Sequence, residues 1–298
     1  MADLRHFLAI PDVDTDELYD ILDLAHRMKA GDEKGKPLAG KTLGMIFQKS
    51  STRTRVSFEV GMYQLGGHAL FLSAKDLQLG RGEPIKDTAR ALSGYVDGIM
   101  ARVADHGELS ELAEYATVPV INGLSDDAHP AQTLADLLTI REAFGDFDVS
   151  AAWVGGGNNV CSSFAIGAAM VGMDLTVATP ADYALPEDVL DRAEALGGRP
   201  TTTTDPAEAV SGADVVYTDV WVNMGQEAER EERVAAFSDY QVNAELLAGS
   251  DARVMHCLPA HRGEEITDGV IESDRALIWQ QAENRMHAQN GLLVELLG

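Results

Sequence analysis

Short apolar runs recur along this chain, each followed by a turn and then by apolar residues at helical spacing, and no other feature of the sequence limits the fold as much. Runs at 42–47, 69–72, 98–101 and 118–121 form one set; runs at 151–154, 175–178, 215–218, 253–256 and 276–279 form a second, which begins near Asp148. Runs this short and this apolar are the pattern of strands buried on both faces, and strands alternating with helices build parallel sheets covered on either side. A chain of 298 residues also exceeds what one core usually holds. The expectation is an α/β protein of two doubly wound domains, each a parallel sheet flanked by helices. Residues 1–130 form the first domain and 131–280 the second, joined by interdomain helices of which 131–143 is one. A helix opened by Thr15-Asp16-Glu17 and closed by Gly31 buries Leu18, Ile21, Leu22, Ala25 and Met28 as scaffold.

Ligands of such sheets gather beyond the carboxyl ends of strands, and the reactive residues of this chain fall there. After 42–47 comes Gln48-Lys49-Ser50-Ser51-Thr52-Arg53-Thr54-Arg55, entering a helix on which Val56, Val60 and Tyr63 recur until Gly66-Gly67. A helix start leaves N–H groups unpaired and favours negative charge. Main chain, the hydroxyls of Ser51, Thr52 and Thr54 and the forked guanidinium of Arg53 can therefore hold a phosphate. The plainer reading is a Ser/Thr cap followed by solvated arginines. Arg102 ends the run 98–101, and His129-Pro130-Ala131-Gln132 sets an imidazole and an amide at another helix start, where a lone histidine is otherwise a cap or a core residue. In the second half Gly155-Gly156-Gly157-Asn158-Asn159 turns into a helix, Asp219-Val220-Trp221-Val222-Asn223-Met224-Gly225 follows 215–218, Cys257-Leu258-Pro259 follows 253–256, and the last helix carries Arg285. The glycine turn invites comparison with a dinucleotide site. Val160 stands where the third glycine belongs, and Thr179-Pro180 rather than an acid follows the next strand, which argues against a nicotinamide-dependent dehydrogenase.

The charge balance is extreme: 48 acidic against 23 basic residues give a formal net charge of -25. Nucleic acid is excluded as a natural partner. Such a surface repels itself at low salt and suits a salt-rich cytosol, since at about 1 M salt the screening length is only about 3 Å; a halophilic source is expected. No run approaches the roughly 18 uncharged apolar residues of a membrane span, and residues 1–6 open no long apolar targeting stretch, so the expected location is cytoplasmic, away from membranes. Cys161 and Cys257 make no disulfide framework and suit a reducing compartment, with Cys161 expected to be structural.

Ser51-Thr52-Arg53-Thr54-Arg55, His129-Pro130-Ala131-Gln132, Asp219-Val220-Trp221 and His256-Cys257-Leu258-Pro259, in this order over the whole length, resemble the aspartate/ornithine carbamoyltransferase family, and the cysteine motif with the Asp219 loop resembles its ornithine branch. The resemblance implies transfer of the carbamoyl group of carbamoyl phosphate to the side-chain amine of L-ornithine, giving L-citrulline and phosphate without metal or cofactor. It implies a homotrimer or a multiple of trimers, and a C-terminal helix, 281–298, packed back on the first domain. By the family pattern Ser51, Thr52, Arg53, Thr54, Gln78, Arg102, His129, Gln132, Cys257, Leu258 and Arg285 surround carbamoyl phosphate, with Gln78 reaching into a neighbouring subunit. Asn159, Asp219, Asn223, Met224 and Cys257 surround ornithine. Catalysis falls to Arg102 and His129, which with Thr54 stabilise the developing oxygen charge, and to Cys257 and Asp219. Cys257, with an ordinary thiol pKa of about 8.5, takes a proton from the amine beside Asp219, or Asp219 alone holds the ammonium. Asn223 stands where the family usually has Ser, and Gly156 where it usually has Asp. These departures bear on substrate choice, with lysine or putrescine as alternative acceptors; separately, an inactive binding paralogue is the alternative to an enzyme.

Overall fold

A computed structural model describes residues 4–77, 82–222 and 227–298. The chain divides into two compact units, Met1–Leu138 with Asn284–Gly298, and Thr139–Glu283. Both divisions fall inside helices, α5 (Pro130–Phe144) and α11 (Ile278–Leu297). The expected boundary at 130/131 coincides with the start of α5, whereas the units part eight residues further on, because a continuous helix carries the chain from one to the other.

The first unit opens with α1 (Thr15–Ala30), which is capped by Asp14 and not by Thr15: the Asp14 carboxylate accepts from the Glu17 N–H at 2.9 Å and the Glu17 side chain accepts from the Asp14 N–H at 3.0 Å. Gly31, at φ 79°, ends it in the left-handed conformation that glycine adopts freely. β1 (Thr42–Phe47), α2 (Thr52–Gln64), β2 (His68–Ser73), α3 (Ile85–Ser93), β3 (Gly98–Arg102), α4 (His106–Tyr115) and β4 (Val120–Leu124) follow. The strands form a parallel sheet in the order β2-β1-β3-β4. Ile46, Ile99, Leu109, Leu112 and Val120 are buried against one another, each contributing about 1.5–3 kcal/mol by leaving water. β4 starts two residues later than the run 118–121 foretells. Pro119 has no N–H to give the ladder, and its carbonyl accepts from Ile99 N at 2.8 Å instead.

The apolar stripe of α2 faces the opposite way from a core helix. Val56, Val60 and Tyr63 are exposed, while Thr54, Ser57, Phe58, Gly61 and Met62 are buried. The inner face meets polar residues of α11: the Ser57 hydroxyl donates to Gln289 Oε1 at 2.6 Å, and a Cβ on Gly61 would lie 2.3 Å from Asn290 Oδ1. A small, hydrogen-bonding face can approach α11 there and a valine face cannot.

The second unit holds β5 (Ser150–Val154), α6 (Asn159–Met170), β6 (Asp174–Ala178), α7 (Glu187–Leu196), β7 (Thr201–Thr203), α8 (Pro206–Val210), β8 (Val215–Thr218), α9 (Arg230–Ala236), β9 (Arg253–His256) and α10 (Asp268–Ile271). Its parallel sheet has the order β7-β6-β5-β8-β9. Trp153, Phe164 and Tyr217 meet edge to face at its centre, with centroids 4.8 and 5.1 Å apart. The run 276–279 is not a strand: Ala276 makes a single bridge to Val254, and α11 begins at Ile278. Among the described residues no helix is long and apolar enough to cross a membrane. Both cysteines are free.

Candidate active site

Each sheet reverses its winding once, between β1 and β3 in the first unit and between β5 and β8 in the second. Loops leaving neighbouring strands diverge at such a point and open a crevice beyond the carboxyl ends. In the first unit Phe47 pairs with Arg102, so the polar run after β1 and the cation ending β3 stand at the same level. Ser51 caps α2: its Oγ accepts from Thr54 N at 3.3 Å, and its hydroxyl donates to Thr54 Oγ1 at 3.1 Å.

Arg285 gathers the remaining groups of this half. One of its terminal nitrogens donates to Gln132 Oε1 at 2.7 Å and to His129 Nε2 at 3.2 Å, and the other donates to Thr54 Oγ1 at 3.5 Å. Thr54, Arg102, His129, Gln132 and Arg285 are all buried. Burial, followed by the charges of Arg285, Arg102 and Arg53, holds the His129 imidazolium well below its ordinary pKa of 6.5. The ring is therefore neutral, and because Nε2 accepts from Arg285 its proton sits on Nδ1. Thr52 occupies the exposed first turn of α2. A residue that reading of the sequence passed over completes this half: Asp136, one turn along α5, accepts from Gln132 Nε2 at 2.7 Å and so turns the amide oxygen toward Arg285. The i,i+4 spacing of the two was its visible signal.

In the second unit the loops after β5, β8 and β9 converge. The Cys257 thiol donates to Asp219 Oδ1 at 3.0 Å, and Asn158 Nδ2 donates to Asp219 Oδ2 at 2.8 Å. Asn158 also caps α6, its Oδ1 accepting from Val160 N and Cys161 N at 3.0 Å, so one turn both starts the helix and aims the carboxylate. Asn159 is the first residue of α6. Behind Cys257 lies a second pair missing from the sequence reading. Leu258 N donates to His256 Nδ1 at 2.8 Å, which puts the ring proton on Nε2, and Nε2 donates to Glu265 Oε1 at 3.0 Å. The pair is fully buried and holds Leu258 at φ 60°, a conformation that non-glycine residues rarely adopt. Asp219, His256 and Cys257 are close enough to suggest a metal, but both His256 nitrogens are already engaged, leaving no lone pair for an ion. Cys161 is buried; burial and the Asp219 charge push its thiol pKa well up, as suits an inert structural residue. Gln78, Asn223 and Met224 lie outside the described residues.

The departure at Gly156 has a steric counterpart. A Cβ there would lie 3.3 Å from Phe237 Cζ, and Phe237 is fully buried, with Tyr183 and Trp221 at centroid distances of 4.8 and 6.0 Å. Gly156→Asp is expected to destabilise the protein by about 1–3 kcal/mol through overpacking, and Phe237→Leu in the same chain to recover most of the loss. Urea unfolding at fixed salt measures both; an unchanged midpoint for Gly156→Asp would dissociate the two positions.

Two family models cover the chain. "Aspartate/ornithine carbamoyltransferase, carbamoyl-P binding domain" matches residues 5–142, and "Aspartate/ornithine carbamoyltransferase, Asp/Orn binding domain" matches residues 148–296. The chain is similar to an ornithine carbamoyltransferase of Haloquadratum walsbyi, 63% identical over 298 residues, covering 100% of this chain and 99% of that one. It is 55% identical to one of Archaeoglobus fulgidus over 99% of this chain and 98% of that protein. Among solved structures, the ornithine carbamoyltransferase from Pyrococcus furiosus superposes with a TM-score of 0.94 at 53% identity, over 99% of this chain and 97% of that one. With its motifs, two switch-point sites and full-length likeness all agreeing, the chain belongs to the aspartate/ornithine carbamoyltransferase family.

Proposed function

We propose that this protein transfers the carbamoyl group of carbamoyl phosphate to the side-chain amine of L-ornithine, forming L-citrulline and phosphate. The observation that carries the reading is the contact of the Cys257 thiol with the Asp219 carboxylate, a proton-handling pair suited to an ammonium substrate. In the reaction the amine nitrogen bonds to the carbonyl carbon, the bond from that carbon to the phosphate oxygen breaks, and one amine proton must leave. Asp219, aimed by Asn158, holds the ammonium end, and Cys257, as the thiolate formed once its own proton has left to solvent, takes the proton from the amine. Asn159 and, by the family pattern, Asn223 and Met224 are assigned to recognition of the amino acid.

Ser51, Thr52, Arg53 and Thr54 hold the phosphate of the donor, with Gln78 and Leu258 among its further contacts. Arg102, neutral His129, Gln132 and Arg285 surround the carbamoyl group, where preorganised donors stabilise the oxygen charge as it develops. Clustered guanidinium groups also give an anionic substrate a local positive target on a chain of net charge -25. The test is citrulline formation in molar salt with a panel of acceptors. Faster carbamoylation of lysine, putrescine or aspartate than of ornithine would overturn the substrate.

The protein is further proposed to act as a trimer or a multiple of trimers in the cytoplasm, where its two free thiols persist. What supports self-association is an apolar face left open on the first unit: Val56, Val60 and Tyr63 on α2, beside Leu70 and Phe71 on the edge strand β2. Val60→Glu is expected to leave the fold intact and to shift the protein to monomers in light scattering at micromolar concentration. Trimers persisting in that variant would place the interface elsewhere.

A further inference from the structure

The turn after the thiol loop contains a group of side chains that the carbamoyl-transfer reading does not use. His261 Nδ1 lies 3.8 Å from Glu264 Oε2 and 4.0 Å from Glu265 Oε2, and a ligand atom from each of the three residues falls within 4.8 Å of the other two. Glu265 is fully buried, and its Oε2, like Glu264 Oε2, is a buried oxygen without a hydrogen-bond partner among the described residues. Burying a carboxylate oxygen unsatisfied costs several kcal/mol unless something positive meets it. The Nδ1 separations are too long for hydrogen bonds from a protonated imidazole. They leave a gap for an ion whose bonds to nitrogen and oxygen are about 2.0–2.2 Å, after side-chain shifts of a few tenths of an ångström.

The surroundings hold these atoms in place. Glu265 Oε1 accepts from His256 Nε2 at 3.0 Å and from the His261 N–H at 2.6 Å, which directs Oε2 away from both. Glu264 Oε1 is taken by Arg230. The turn itself is closed by Glu264 N donating to His261 O and Gly263 N donating to Ile266 O, both at 2.8 Å, and is tied to its neighbour by Val242 N donating to Glu265 O at 2.8 Å. Outer partners of this kind orient the ligands of metal sites.

We propose that His261, Glu264 and Glu265 form a binding site for one divalent first-row transition ion of the Zn²⁺ type, separate from the groups that handle the substrates. One imidazole nitrogen with two carboxylate oxygens suits Zn²⁺, whereas Mg²⁺ and Ca²⁺ prefer all-oxygen shells. His261 is partly exposed, so water completes the coordination from the open side. Because Glu265 also holds His256, an ion here would brace the turn that supports Cys257.

The test uses Co²⁺ as a spectroscopic probe on the full chain carrying Cys257→Ala, which removes thiol binding at the neighbouring Asp219 group. The expected result is one Co²⁺ per chain, with visible d–d bands and no sulfur-to-cobalt charge-transfer band. Adding His261→Ala should weaken that binding at least tenfold, and the isosteric Glu264→Gln, at a partly buried position, should weaken it several-fold without disturbing the fold, checked by circular dichroism. Excess Zn²⁺ should also raise the melting temperature of the Cys257→Ala protein but not that of the chain with His261→Ala added. A Cys257→Ala protein that binds no Co²⁺, or binds it equally well with His261→Ala and with Glu264→Gln, overturns the proposal.

Discussion

Cys257→Ala is expected to lower citrulline turnover by about 10²- to 10⁴-fold, the usual contribution of a positioned proton acceptor, with the affinity for carbamoyl phosphate changed less than about threefold. The division follows from where the thiol sits. It donates to Asp219 at 3.0 Å, and Asp219 is fixed from its other oxygen by Asn158. Alanine removes the sulfur and leaves the carboxylate in position, so ornithine is still held while its proton has no acceptor but water. Cys257 is half-buried and its loop is set by the His256 and Glu265 pair behind it, so the backbone should survive the change. Single-turnover citrulline formation and calorimetric titration with carbamoyl phosphate separate the two effects. Turnover within a few-fold of the parent would remove the thiol from proton transfer; lost donor binding would show that it belongs to the phosphate half.

The parts of the molecule legible in the sequence are those where one residue's chemistry and its local context coincide. β1, β8 and β9 match their apolar runs residue for residue, because each run is bounded by polar turns. The Ser51 cap and the His129 helix start were visible for the same reason, since a helix N-terminus has a local signature. What stayed hidden depends on distant partners. The 3.6-residue period of Val56, Val60 and Tyr63 marks a stripe on α2 but not its direction, which Gln289 and Asn290 decide from the far end of the chain. β7 is three threonines on a sheet edge, with no apolar run to announce it. Asn158, Asp136 and Glu265 act through another side chain, and only the fold shows which acid or amide each one turns. Gly156 was legible as a departure, but Phe237, 81 residues away, supplies its meaning.

Arg285→Lys is expected to be the most damaging conservative change in the donor half. Lysine keeps the charge but replaces a planar fork with a single point, and here two guanidinium nitrogens serve three acceptors on two segments: Gln132 Oε1 and His129 Nε2 at the start of α5, and Thr54 Oγ1 on α2. An ammonium at the end of a lysine can reach one or two of them. Arg285 is also proposed to hold the carbamoyl group, and hydrogen bonds to a charged group contribute about 1.5–3 kcal/mol each, so losing one to the substrate weakens carbamoyl phosphate binding by about 10- to 150-fold. The loss spreads further because the acceptors left behind are buried. Gln132, no longer held from its oxygen, can rotate against Asp136. With no guanidinium donating to Nε2, a bond that favours the neutral ring, and with the positive charge now at the end of a movable chain, His129 should protonate more readily, its depressed pKa moving back up toward 6.5. The variant should therefore show a weaker carbamoyl phosphate affinity and an acid limb of the rate profile displaced to higher pH, while ornithine binding by Asp219 is spared. A titration of donor affinity and a pH profile of turnover measure both. If affinity falls without any displacement of the acid limb, Arg285 acts on the substrate alone and His129 is held neutral by burial, with Arg102 and Arg53, instead.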